Sequence, residues 1–233
     1  MIKSPIITSI EANILRKAKR QSASAFTLLE LLVTVAIVSV LLGFAHSAFS
    51  LAQQRAGALQ GASILRQTGA ATILYAAENN GRLPGPMWPG QIPIYDSSRP
   101  GRLVVDLAPY LTIQESATPF LVDSFVPQLL KNRLETLVAE PRVFVLRTQL
   151  ADGQQPFGAL PGADGSEPLP LAGLSNPGQT WMLSDADQQH PFVVGRPWQT
   201  STIPSPVAPN STRNVLFFDG RVESVGEEFD WEG

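Results

Sequence analysis

The chain has 233 residues, which is enough for one medium-sized domain with an additional element, or for two small domains at most. Its 17 basic and 20 acidic residues nearly balance. We expect no nucleic acid as a partner, because binding to DNA or RNA requires clustered Lys and Arg. The absence of cysteine excludes disulfides, thiolate metal sites and cysteine nucleophiles.

The first 25 residues form a polar leader with a basic end, and an apolar run follows it. The run from Phe26 to Ala45 has 20 residues, which in a helix measure about 30 Å and can cross a bilayer. Positive charge before such a run is retained on the cytoplasmic side. We therefore expect the leader inside the cell and the remainder outside. The basic residues at the leader's end are Arg16, Lys17, Lys19 and Arg20.

The helical pattern continues beyond the apolar run. Residues 47–79 contain no proline, and small or apolar residues recur there at steps of three or four: Leu59, Ala62, Leu65, Gly69, Ile73 and Ala76. Asn79-Asn80-Gly81 predicts a left-handed cap, so we expect one helix over 26–79. Gly57 and Gly61 are either tolerated in this helix or allow a second helix to approach closely.

The chain after Gly81 holds 19 of the 20 prolines, which favours turns and short elements. We predict strands at 103–107, 142–150 and 180–183, a short amphipathic helix at 127–138 and a long surface loop at 153–177.

The strongest hairpin signal is Asp219-Gly220, because a tight type I′ turn needs positive φ at both central residues. Strands at 214–218 and 221–225 flank this pair.

Glu30 is an acidic residue inside the apolar run, and its presence needs an explanation. A charge at the bilayer centre costs about 2.5–3.5 kcal/mol, and less near the edge where Glu30 is expected. Cleavage before Phe26 would create an α-amino cation. The Glu30 carboxylate could pair with this amine or with that of a neighbouring helix, which would set the stagger between subunits.

The segment Ala25-Phe26-Thr27-Leu28-Leu29-Glu30 resembles the signature of type IV prepilins, a family that includes the pseudopilins of type II secretion systems. The resemblance implies cleavage after Ala25 by a prepilin peptidase, N-methylation of Phe26 by the same enzyme and assembly through Glu30 with other pilin-like subunits. The family usually has Gly before the cut, and this chain has Ala25.

The expected fold is α+β and pilin-like, with one long N-terminal helix, half of it transmembrane, packed on a small antiparallel β-sheet. The expected divisions are a leader at 1–25, the extended helix at 26–81 and an extracytoplasmic globular domain at 82–233. We expect a single-pass protein of the inner membrane with its N-terminus in the cytoplasm.

The predicted function is that of a structural subunit of a type II secretion pseudopilus or a type IV pilus-like filament. The alternative is a membrane-anchored periplasmic binding module that uses a prepilin-type leader. An ordinary secretory signal peptide fits less well, because its apolar core spans only about 7–15 residues. A plain signal anchor without an assembly role is a further alternative.

Asp164, Asp185 and Asp187 are the candidate ligands for a metal, since calcium prefers several oxygen ligands; the alternative is that they are solvated turn residues. His46 and His190 are expected to be polar surface residues. The sequence contains no nucleophile-elbow pattern and no glycine-rich phosphate loop, so we expect no enzymatic activity and no cofactor other than this possible calcium.

Overall fold

The computed structural model describes residues 26–127, 130–131, 140–196, 203 and 212–232. The chain divides into two compact units, with the boundary between Ser50 and Leu51. The boundary falls within a helix, so the later part of that helix belongs to the same unit as the β-sheet.

The long helix, α1, spans Leu28–Glu78, as the sequence predicted to within two residues at each end. It ends in a Schellman cap: Asn80 has φ of 56°, and the N–H of Gly81 donates to the carbonyl of Ala76 at 2.7 Å. The predicted left-handed cap is confirmed, and Asn80 as well as Gly81 adopts positive φ.

Seven strands are found in the described part of the chain: β1 Gly90–Gln91, β2 Ile94–Tyr95, β3 Phe120–Leu121, β4 Phe144–Leu146, β5 Trp181–Asp185, β6 Arg213–Phe217 and β7 Val222–Val225. Five of them form an antiparallel sheet in the order β1-β4-β5-β6-β7, and β2 and β3 form a separate antiparallel pair. The α+β prediction, with a long helix followed by a small antiparallel sheet, is confirmed.

The two faces of this sheet carry different hydrophobic clusters, because successive side chains of a strand point to opposite sides. Leu216 and Met182 pack in one cluster with Ile64 and Leu65 of α1. The opposite face carries a second cluster, formed by Val145, Trp181, Ala186, Val193, Ile203, Val215, Phe217, Val225 and Trp231. The part of α1 that follows Ser50 therefore covers one face of the sheet, and aromatic residues of the C-terminal segment cover the other.

Glycines allow α1 to lie close to β6. A Cβ atom at Gly61 would lie 3.1 Å from Asn214 Nδ2, and one at Gly69 would lie 2.8 Å from Leu216 Cδ1. The alternative in which Gly57 and Gly61 allow a second helix to approach is not realised at Gly61, because its neighbour is Asn214 on a strand of the same chain. Of the residues in the repeat that the sequence shows along this helix, Ala62, Leu65 and Ala76 are buried, but Leu59 and Ile73 are exposed.

The predicted strand at 103–107 is wrong: α2, a short helix, spans Leu103–Asp106. Leu103, Val104 and Leu107 are buried, which is a helical spacing. The N–H of Leu103 donates to Gln91 Oε1 at 2.7 Å, so the side chain of Gln91 satisfies a backbone donor in the first turn of α2.

Two other elements differ in extent from the predictions. The strand expected at 142–150 is limited to β4, and the loop expected at 153–177 contains a 3₁₀ helix at Leu171–Gly173. The amphipathic helix predicted at 127–138 lies mostly outside the described residues.

The hairpin between β6 and β7 is confirmed, but its turn type is not the predicted one. Among the residues of this turn, Gly220 has positive φ, at 88°, and Asp219 does not. The N–H of Gly220 donates to the carbonyl of Phe217, and the N–H of Phe217 donates to the carbonyl of Arg221. These bonds describe a three-residue loop with a bulge at Gly220, which requires one glycine rather than two positive φ angles.

We predict that Gly220→Val destabilises the unit containing the sheet by about 1–3 kcal/mol, because a β-branched residue resists positive φ. Gly226→Ala is the matched control, since a Cβ there meets nothing within 4 Å. Thermal unfolding of the full chain in detergent, followed by tryptophan fluorescence, reports this change because all four tryptophans follow Gly81. Equal melting temperatures for the two variants would contradict the described turn.

Candidate functional site

The first turn of α1 contains the residues that the sequence singled out for processing and assembly. Phe26 and Thr27 precede the helix, which begins at Leu28, and Glu30 lies in its first turn. Phe26 is 68% exposed. Ala25 lies outside the described residues, so the predicted cleavage junction stays a prediction.

Thr27 and Glu30 form a capping box. Glu30 Oε2 accepts from both the backbone N–H and the hydroxyl of Thr27, each at 2.9 Å, and Thr27 Oγ1 accepts from the N–H of Glu30 at 3.2 Å. These bonds satisfy backbone donors that a helix N-terminus otherwise leaves unpaired. The role of Thr27 was not predicted, although the Thr-x-x-Glu spacing that identifies a capping box is visible in the sequence.

The capping box uses only one oxygen of the Glu30 carboxylate. Glu30 Oε1 accepts no hydrogen bond from the part of the chain that the structure describes. Carboxylates have lone pairs on both oxygens, so Oε1 stays available to an external donor. The capping box therefore orients the carboxylate at the start of the helix without saturating it.

Glu30 is the only charged residue between Phe26 and Gln54. The side chains around it are exposed and apolar: Leu28, Leu29, Leu31, Leu32, Val33, Val35, Ile37, Val38, Val40, Leu41, Leu42 and Phe44. Such a continuous exposed apolar surface indicates contact with lipid or with other chains. Within the described residues, one helix, α1, is long and apolar enough to cross a membrane.

The N-terminal segment matches a family model described as the prokaryotic N-terminal methylation motif, over residues 20–45. The chain carries a prepilin-type cleavage and methylation signal. This signal implies processing by a prepilin peptidase and assembly with pilin-like subunits. Together with the apolar helix, it is consistent with a single-pass membrane anchor. Comparison with curated proteins and with solved structures gives no match.

Away from the prepilin-type signal, Asp187 forms a buried ion pair with Arg213. Arg213 Nε and Nη2 donate to the two carboxylate oxygens of Asp187, each at 2.8 Å. This bidentate geometry, which a guanidinium forms readily with a carboxylate, is the strongest type of side-chain pair. The interpretation of Asp187 as a solvated turn residue is wrong, because its side chain is buried.

Asp185 connects the sheet to α1 through Asn214. Its Oδ2 accepts from the backbone N–H and from Nδ2 of Asn214, each at 2.9 Å, and Nδ2 lies 3.2 Å from the carbonyl of Ala58 on α1. Asp185 Oδ1 is buried and has no hydrogen-bond partner among the described residues. Burial raises the pKa of this carboxyl to about 6, against the opposing effect of the Asn214 bonds. Asp185 is therefore no solvated turn residue.

The three candidate calcium ligands occupy different environments. Asp187 is paired with Arg213, Asp185 is bonded to Asn214, and Asp164 is exposed in a loop. In the described ranges, no group of three His, Cys, Asp or Glu side chains is placed to hold a metal ion. Calcium binding by these residues stays a prediction.

His190 is a core residue, which contradicts its predicted place on the surface. It is fully buried, and its ring centroid lies 4.3 Å from that of Trp231. Its Nδ1 accepts from the N–H of Phe192 at 3.2 Å. Burial, followed by the nearby Arg213 cation, lowers the pKa of His190 to about 3, so the ring is neutral at ordinary pH. His46 is exposed on α1.

We predict that Asp185→Asn removes a pH dependence of stability. The Asp185 pKa is about 6 in the fold, against an ordinary value of 3.8 for this side chain. The folded state therefore binds the proton more tightly than the unfolded state, and its stability falls as pH rises through the window from 3.8 to about 6. A neutral carboxamide still accepts from Asn214 and does not titrate.

The stability of Asp185→Asn relative to wild type should therefore increase by roughly 2 kcal/mol between pH 4 and pH 7. Melting curves of both proteins across this range, followed by tryptophan fluorescence, measure the difference. Other groups that titrate in this window, including Asp106 with a pKa of about 6, are common to both proteins and cancel. If the stabilities of the two proteins change in parallel with pH, ionisation of Asp185 costs the folded state no stability.

Proposed function

We propose that the mature chain is a structural subunit of a helical filament, either a type II secretion pseudopilus or a type IV pilus-like fibre. A prepilin peptidase would remove residues 1–25 and methylate Phe26. The observation that supports this proposal is the Glu30 carboxylate, which Thr27 orients at the start of an exposed apolar helix within a prepilin-type signal. The role is structural rather than catalytic.

The chemistry of assembly follows from the position of this carboxylate. Cleavage before Phe26 would create an amine at the end of a long apolar segment, where an unpaired charge is costly. Glu30 Oε1 would accept a hydrogen bond from the amine of an incoming subunit, while Oε2 keeps its bonds to Thr27. Each pair neutralises two charges and sets the axial position of one helix against the next.

The direction of insertion follows from the charge of the leader. Its basic end, including Lys19 and Arg20, favours a cytoplasmic leader and an outward-facing sheet unit. Lipid would cover the exposed apolar side chains of α1 before assembly, and neighbouring helices would cover them in the filament. The same surface would thus serve as an anchor first and as a packing face afterwards.

Variants at two positions separate the charge of Glu30 from its capping role. Glu30→Gln keeps the capping box, because glutamine also accepts from the N-cap residue, but it removes the charge. Thr27→Ala does the reverse, at a cost of about 0.5–2 kcal/mol to the helix start. Breaking one member of a buried pair typically costs about 3–5 kcal/mol. We therefore expect Glu30→Gln to abolish incorporation into filaments and Thr27→Ala to reduce it only partly.

The measurement is the amount of each cleaved variant in sheared filaments, beside wild type and Glu30→Leu, which loses both the charge and the cap. Cleavage is checked by mass for every variant, so that a processing defect is not counted as an assembly defect. If cleaved Glu30→Gln assembles as well as wild type, capping is the whole role of Glu30. The filament function would then stand without the charge pair, whereas absence of cleaved wild type from filaments would favour a membrane-anchored binding module.

A further inference from the structure

A groove lined by two arginines lies between residues 55–66 of α1 and the edge strand β7. Its volume is about 390 Å³, and its walls include Arg55, Leu59 and Arg66 of α1 and Val222, Glu223 and Ser224 of β7. Neither Arg55 nor Arg66 forms a hydrogen bond or an ion pair with any residue that the structure describes.

The charges around this groove favour an anionic occupant. Among its lining residues the charged ones are Arg55, Arg66 and Glu223, and Glu223 is already paired with Arg221. Arg55 and Arg66 are eleven residues apart, which is about three helical turns, so both lie on the same face of α1 roughly 16 Å apart. The occupant should therefore carry negative charge at more than one point.

The C-terminal segment of the chain has the complementary charge. Four acidic residues occur within six positions: Glu227, Glu228, Asp230 and Glu232. The carboxylates of Glu227 and Glu228 are exposed and form no hydrogen bond or ion pair with the described residues. This acidic segment and the basic groove thus present charges of opposite sign.

The segment is anchored on the face of the sheet opposite α1. Trp231 is buried in the cluster on that face, and its carbonyl accepts from Trp181 Nε1 at 2.9 Å. Arg147 Nη2 also donates to the carbonyl of Glu232 at 2.8 Å. In this arrangement the two groove arginines receive no acidic partner from the described residues of their own chain.

We propose that the groove between α1 and β7 binds the acidic C-terminal segment of a second copy of this chain. Because the two surfaces differ, the contact is heterologous, and a heterologous contact that does not close into a ring repeats from copy to copy into an open helical array. The inference rests on the proposed filament function and adds to it a second contact, between sheet-bearing units. Charge complementarity at this contact determines the orientation in which one copy binds the next.

The absence of cysteine permits a cross-linking test in the full chain without background. One copy carries Leu59→Cys, at a groove residue that is 69% exposed, and a differently tagged copy carries Gly226→Cys, where a Cβ meets nothing within 4 Å. The two are expressed together, and sheared filaments are oxidised. We expect a disulfide-linked heterodimer. The matched control replaces Leu59→Cys with Leu74→Cys, at another leucine of α1 that is 53% exposed but lies outside the groove.

Charge reversal tests whether the acidic and basic groups recognise each other. Arg55→Glu with Arg66→Glu in the groove copy, or Glu227→Lys with Glu228→Lys in the tail copy, should each lower the heterodimer yield about tenfold. Combining the two reversals should restore most of the yield. Such rescue would not follow from separate folding defects.

The outcomes distinguish this contact from the proposed function itself. If both copies are present in filaments but the Leu59→Cys copy links no better than the Leu74→Cys control, the contact is refuted and the filament function stands. Links between two Leu59→Cys copies would also refute it, since they indicate a symmetric helix contact. Absence of the chain from filaments would refute both proposals.

Discussion

The close approach of α1 to strand β6 determines how the rest of the unit that begins at Leu51 is arranged. Gly61 and Gly69 lack the side chains that would collide with Asn214 and Leu216, and Asn214 bonds both to Asp185 and to the carbonyl of Ala58. This contact selects which face of the helix is buried. It leaves the opposite face exposed and free to meet other molecules.

The two parts of α1 meet different physical demands along one continuous helix. The first part exposes apolar side chains around a single carboxylate, which suits a segment that passes from lipid into contacts with similar helices. The later part has a buried stripe against the sheet and carries Arg55 and Arg66 on an exposed face. Anchoring and folding are thus divided along the helix.

Features that depend on neighbouring residues could be predicted from the sequence, and features that depend on distant partners could not. The limits of α1 and the hairpin at Gly220 follow from local signals. By contrast, α2 needs the distant side chain of Gln91, and the burial of His190 depends on Trp231, more than forty residues later. The processing signal is local, so a few residues around Glu30 are enough to identify it.

The mass of the subunit recovered from purified filaments tests the central claim most directly. Removal of the first 25 of the 233 residues leaves 208. The account predicts an intact mass equal to these 208 residues plus one methyl group, with N-terminal sequencing that begins at Phe26. A chain that starts at Met1, a start near Ala48 as left by a signal peptidase that cuts after Ala45-His46-Ser47, or absence of the chain from filaments would contradict it.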